Sequence, residues 1–199
     1  MLHFAQIFSY GLLNGALYGL VALGLSLVFG VMNYLVIAHG ALIMMAAYLT
    51  FWAFFYLKID PFLFILLVTP AFFVIGWVLF KVLYQSLMKF SEGEKIKNSL
   101  LISFGLLLVF PNLAILFWTA DERAVSTAYT GKVFDLFGVR LPYIGLGGVA
   151  LAIIVIIALH LFLTRTYFGK AIRAVSQDHE AATLMGINVN RVCLVAFSM

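Results

Sequence analysis

The residues that do chemistry in most proteins are almost absent from the long apolar stretches of this 199-residue chain. The polar side chains embedded there are Asn14, Ser26, Asn33, His39, Ser103, Asn112 and His160. None is a carboxylate or an obligate cation. A polar group inside a membrane is costly, and it is a functional candidate by default. Ion-coupled carriers usually hold an ionisable group or an ion cage near the midplane. Only the two histidines here could titrate. His39 sits at a helix boundary and His160 near the end of a span, where capping or interfacial roles compete with proton relay. No nucleophile stands beside a base, so an enzymatic reading lacks its constellation. The four histidines, His3, His39, His160 and His179, lack ligand spacing, and no metal is expected. Gly131-Lys132 and Gly169-Lys170 lack the upstream glycine and the following Ser or Thr of a phosphate-binding loop.

The most informative polar stretch is residues 164–191. Lys170 to Val175 reads as a short amphipathic helix with Ala171, Ile172 and Val175 on its apolar side and Arg173 among its basic residues. Asp178 is a good N-cap for a second short helix, with Glu180 in its favourable first turn. Gly186 suits the position that ends such a helix, and Asn188 or Asn190 can cap the next one. Two roles fit: an interfacial helix lying on the bilayer, or a docking element. In the second, a stiff rod sits in a groove of a soluble partner and passes movement to the spans. Ala181 and Ala182 would permit close contact.

Composition decides what must position these groups. Apolar residues make up 65% of the chain and charged residues 10%, against roughly 45–50% and about 25% in soluble domains. Such a chain cannot cover its own surface with polar groups, so the expected fold is all-α: a polytopic transmembrane bundle forming one domain over residues 1–199. No Asp, Glu, Lys or Arg occurs from Phe4 to Leu57. That length holds two spans, read as Ile7–Gly30 and Ala38–Tyr56, divided around Asn33, Tyr34 and His39. Lys58, Asp60 and Pro61 make a turn. A third helix runs from Phe62 to about Leu87, with a kink expected at Pro70. Lys89, Glu92, Glu94, Lys95 and Lys97 read as a charged loop, and a fourth helix spans Ser99 to Trp118 with Pro111 inside. The polar stretch 119–142 follows, with a small hairpin around Gly138. A fifth helix covers Tyr143–Leu163. Val192 to Met199 is apolar but too short to cross, which suggests a fragment ending at the start of a sixth span. The N-terminus lacks the basic start of a signal peptide.

On the first helix Gly11, Gly15, Gly19, Ala22, Ser26 and Gly30 fall at steps of three and four, which is one face. Small residues let helices approach closely in lipid, so the stripe serves packing or, with Asn14 beside it, lines a path. The single cysteine, Cys193, allows no internal disulfide. The net charge of +4 comes from residues scattered between apolar runs, so nucleic acid is not an expected partner. Eight Lys and Arg residues lie in the segments on one side, 81–97 and 164–191, and four on the other. The positive-inside rule puts the first group in the cytoplasm and the N-terminus outside.

The segment Glu180-Ala-Ala-Thr-Leu-Met-Gly186 resembles the coupling loop of bacterial ATP-binding cassette importer permeases. Asn14-Gly15-Ala-Leu-Tyr18 through Gly30-Val-Met-Asn33, then Ala38-His39-Gly40, is similar to the N-terminal signature of branched-chain amino acid permeases. Gly169-Lys-Ala-Ile-Arg173, Asp178 to Asn188, and Leu100 to Leu106 before Asn112 fit the same family, and the resemblance covers essentially the whole chain. It points to the H-type of the two paired permeases. Ala41 departs from it, because relatives often carry a carboxylate after the His-Gly pair. The resemblance implies a bacterial inner-membrane importer with a sister permease, two cytoplasmic ATPase subunits that bind ATP and magnesium, and a periplasmic solute-binding protein. It implies ATPase coupling through Arg173, Asp178, Glu180, Ala181, Ala182 and Gly186, and no cofactor in this chain. Urea and short-amide permeases share the motifs, and an ion-coupled secondary carrier is the competing class.

Overall fold

The computed structural model describes residues 2–199 except 120, 122, 128 and 137. Five helices among the described residues are long and apolar enough to cross a membrane. They are α1 (Leu2–Met32), α2 (His39–Leu57), α3 (Pro61–Leu79, continued by tighter and looser turns to Lys89), α4 (Glu92–Trp118) and α5 (Tyr143–Arg165). The helical bundle expected from composition is therefore present. Three short helices follow: α6 (Tyr167–Gln177), α7 (His179–Leu184) and the apolar α8 (Val189–Ser198). An antiparallel pair, β1 (Val133–Leu136) and β2 (Val139–Pro142), forms the hairpin expected near Gly138, which has a positive φ of 84°.

Close contacts divide the chain into two compact units. The first comprises Met1–Gly24 and Ser126–Lys170. Here α1 meets α5 through leucine knobs set against glycines. A Cβ at Gly145 would stand 3.1 Å from Leu13 Cδ1, and one at Gly148 3.2 Å from Leu17 Cδ2. Gly145 and Gly148, three residues apart, make the holes, and the knobs sit beside the glycine stripe of α1, not on it. The Gln6 amide donates to the Arg140 carbonyl at 2.6 Å and accepts from its N–H at 2.8 Å. That side chain stands in for a missing neighbouring strand at the edge of β2. Asp135 and Arg140 face each other across the hairpin at 3.7 Å.

The second unit comprises Leu25–Val125 and Ala171–Met199. Asp60 caps α3 by accepting from the Phe62 N–H, Pro61 takes the first helical position, and Lys58 ends α2 with a left-handed φ of 51°. Tyr48 stacks on Trp118 at 5.1 Å, tying α2 to α4. Two boundaries differ from the sequence reading. The segment read as a charged loop is largely the first turns of α4. The Glu94 carboxylate accepts from both the N–H and the hydroxyl of Ser91, so the helix starts at Glu92 instead of near Ser99. The last turns of the third helix are also not α-helical. The winding changes at Phe80, ten residues past Pro70. Phe80–Tyr84 forms a π turn, with the Gln85 N–H donating to the Phe80 carbonyl, and Gln85–Lys89 tightens to 3-10 geometry. Such wide turns are rare, and those that occur are frequently at functional positions.

Candidate coupling site

The α5–α6 corner is built around Thr166 and Gly169. The Thr166 hydroxyl accepts from the Gly169 N–H and donates to the Phe162 carbonyl. A Cβ at Gly169 would run into the Phe162 carbonyl and the Leu163 backbone, so only glycine fits that corner. From Ala171 onward α6 buries Ala171, Ile172 and Val175, the apolar side read from the sequence, and leaves Arg173 exposed. The helix begins at Tyr167, three residues before Lys170, because Thr166 supplies the cap.

The Asp178 carboxylate accepts from the N–H groups of Glu180 and Ala181 at 2.8 and 3.0 Å. It thereby satisfies two of the donors that every helix start leaves open. At the other end the Gly186 N–H reaches the Thr183 carbonyl, and the Ile187 N–H reaches the Ala182 carbonyl. With Gly186 at φ 80° this is a Schellman closure. Asn188 then caps α8 by accepting from the Arg191 N–H. So α7 is a rod of six residues, fixed at both ends and joined to α8 by the four residues Met185–Asn188. Its two alanines differ in exposure: Ala182 is buried at 4% exposure and Ala181 is exposed. Glu180 is exposed, and Leu184 and Met185 are 88% and 84% exposed, a free apolar tip.

Beside the rod lies a cavity of about 620 Å³, whose walls include Asn33, Ser91, Lys95, Ser176, Asp178 and Glu180. Hence the start of α7, the start of α4 and the end of α1 meet at one polar space. Asn33 ends α1 in a left-handed conformation, φ 55°. From there to Ala38 the chain is not helical, with Tyr34, Val36 and Ala38 buried. This break is held by α4. The Leu35 N–H donates to Ser99 Oγ at 3.0 Å, and Ser103 Oγ donates to the Leu35 carbonyl at 2.9 Å. The Tyr84 hydroxyl lies 2.9 Å from Ser103 Oγ, and the Tyr34 hydroxyl donates to the Tyr84 carbonyl at 3.3 Å. Burial, with a smaller push from nearby Cys193, holds the Tyr34 phenol well above its usual pKa, so it stays a neutral donor.

Ser103 and Asn33 were singled out from sequence; Tyr34, Tyr84 and Ser99 were not marked as a site. The usable signal was the four-residue spacing of Ser99 and Ser103, which puts two hydroxyls on one face of α4. The remaining sequence candidates fall elsewhere. His39 is half-buried as the first residue of α2. Asn14, Ser26 and His160 are exposed. Asn112 is exposed too, and its amide donates to the Leu108 carbonyl one turn back, close to the backbone that Pro111 interrupts. No atom outside the local helix backbone lies within 4 Å of a Cβ built at Gly11, Gly15, Gly19 or Gly30, so that face of α1 is open among the described residues. Residues 120, 122, 128 and 137 of the stretch 119–142 lie outside them.

Comparison with known proteins adds the family. The chain is 28% identical over 210 residues to the high-affinity branched-chain amino acid transport system permease protein BraD of Pseudomonas aeruginosa, a match over 98% of this chain and 66% of that protein. The corresponding LivH proteins of Salmonella typhimurium and Escherichia coli strain K12 are each 24% identical over 211 residues, with the same coverage. The chain thus spans 66% of the length of these curated relatives. No solved structure matches. The model of the family described as "Branched-chain amino acid transport system / permease component" matches residues 7–199, and the chain belongs to that family.

Proposed function

We propose that this chain is a membrane-spanning permease subunit of an ATP-binding cassette importer that carries branched-chain amino acids across the bacterial inner membrane. Its partners in this reading are a sister permease, a periplasmic solute-binding protein and two cytoplasmic ATPase subunits, which hold ATP and magnesium. The observation that carries the reading is the doubly closed α7 rod, with Leu184 and Met185 projecting from its end.

A rod capped at both ends passes on displacement instead of fraying. Its apolar tip suits a groove on a soluble ATPase, and Glu180 and Arg173 offer charges at the rim. Closure of the ATPase pair on ATP moves α7, and α8 follows through the corner at Gly186–Asn188. The loaded binding protein engages the opposite face, in the region of 119–142. Each partner must bind one state of the permease better than the other, because equal binding shifts nothing. The open face of α1, with Gly11, Gly15, Gly19 and Ser26 and with Asn14 beside it, receives another helix or borders the path.

The test uses the complete importer. Glu180→Lys reverses a charge on the rod, and Gly186→Asp places a side chain at φ 80°. Both are expected to abolish uptake and co-purification with the ATPase while membrane insertion stays normal. Normal uptake by both variants would remove the coupling role.

A further inference from the structure

The hydroxyls that hold the break can donate only one way. Ser103 has one proton, and the Leu35 carbonyl, which can only accept, takes it. The Tyr84 hydroxyl must therefore be the donor to Ser103. Ser99 likewise gives its proton to the Ile96 carbonyl and accepts from the Leu35 N–H. Both backbone groups of Leu35 are thus answered by one face of α4, and one of those answers is itself oriented by Tyr84. Leu35 lies in the non-helical link between α1 and α2, where its backbone groups have no helical partner and these side chains supply one.

Tyr84 is also the last residue of the π turn, and it touches α8. The Phe197 ring lies 4.8 Å from the Tyr84 ring and 5.6 Å from Phe80. At Gly76 a Cβ would stand 3.0 Å from Ser198 Cα, so α8 lies directly on α3 backbone. Phe80, Tyr84, Ser99 and Ser103 are essentially inaccessible. A continuous line of contacts joins the α7 rod, α8, Phe197, Tyr84, Ser103 and the backbone of Leu35.

We infer that Tyr84 and Ser103 are positioning residues of the transport cycle. The π turn at Phe80–Tyr84 is the joint through which movement of α7 and α8 is delivered to the break at Leu35, between α1 and α2. This inference rests on the importer reading and names the chain's own transmission within it. A packed side chain alone would give stability. A side chain that bridges the moving rod and the break should also set how tightly ATP hydrolysis and solute movement are linked.

The experiment reconstitutes the complete importer in liposomes and records ATP hydrolysis and radiolabelled leucine uptake in the same preparation. Tyr84→Phe and Ser103→Ala each remove one hydroxyl of the line. The expected result is a fall of about tenfold in leucine moved per ATP hydrolysed, in line with ordinary coupling between sites. Hydrolysis should persist, and the double variant should be no worse than Ser103→Ala alone, which already removes both hydrogen bonds of Ser103. Tyr56→Phe, at an exposed tyrosine of α2, should keep the wild-type ratio. An unchanged ratio in both single variants, or independent losses that multiply in the double, overturns the inference. Should Tyr84→Phe fail to assemble, Phe197→Leu decides, because it leaves every hydrogen bond of the line in place and removes only the ring against Tyr84. A normal ratio there overturns the inference, and a reduced one supports it. A wild-type importer that moves no leucine with ATP fails the transport reading itself. A coupled wild type with coupled variants fails the joint alone.

Discussion

At the scale of single residues, α7 depends on Asp178 more than on any of its own six positions. A helix this short forms fewer internal hydrogen bonds than it leaves open at its ends. Asp178 answers two of those open donors, and loss of such a cap costs about 1 kcal/mol. Asp178→Ala should therefore speed amide exchange at Glu180 and Ala181 and lower uptake, whereas Asp178→Ser, which keeps an acceptor oxygen, should preserve both. Fast exchange in the serine variant would mean that the negative charge, and not the hydrogen bond, holds the rod. Asp178 and Gly186 were legible in the sequence because capping is local: an acceptor before the rod and a flexible residue after it. Tyr84 was not legible. Its partners, Ser103 on α4 and Phe197 on α8, are distant in the chain, and an aromatic residue in an apolar run announces only that it is apolar.

At the scale of elements, the same distinction explains where the sequence reading and the structure part. Charge marked 89–97 as a loop, yet Ser91 and Glu94 close a cap that draws Glu94, Lys95 and Lys97 into α4. Hydropathy sees solvent affinity and not hydrogen-bond geometry, so a charged helix start reads as a loop. The π turn left no mark either, because a widened turn keeps the same apolar composition. The hairpin was legible from Gly138, but its anchor was not. Gln6 lies 134 residues away from Arg140, and its amide mimics a strand edge. An exposed strand edge is otherwise a template for unwanted pairing. Replacing Gln6 by Ala should raise amide exchange at Arg140 by about tenfold, the equivalent of one lost hydrogen bond. Exchange at Phe134, inside the β1–β2 pairing, should change less. An equal rise at both would mean that Gln6 holds the whole hairpin and not its edge.

At the scale of the whole molecule, the proposed coupling role requires α7 to lie on the cytoplasmic side. The family match establishes a permease component and the five apolar helices make it a membrane one, but neither orients it. Charge does. The segments that end α3, start α4 and surround α6 and α7 carry eight of the 12 Lys and Arg residues, and retention of Lys and Arg on the cytoplasmic side is what sets topology. The lining of the polar cavity agrees, since Ser91 and Lys95 at the start of α4 share it with Asp178 and Glu180. Whatever side holds α7 must therefore also hold the start of α4. Cysteines introduced at Ser91 and Leu184, both exposed, should react with a membrane-impermeant maleimide only after the inner face is opened. One at Ser126, exposed in the stretch after α4, should react in intact spheroplasts. The native Cys193 is fully buried and should stay silent in each case. Labelling of Leu184→Cys in intact spheroplasts would turn the rod outward, beyond reach of any ATPase, and the coupling mechanism would fail with it.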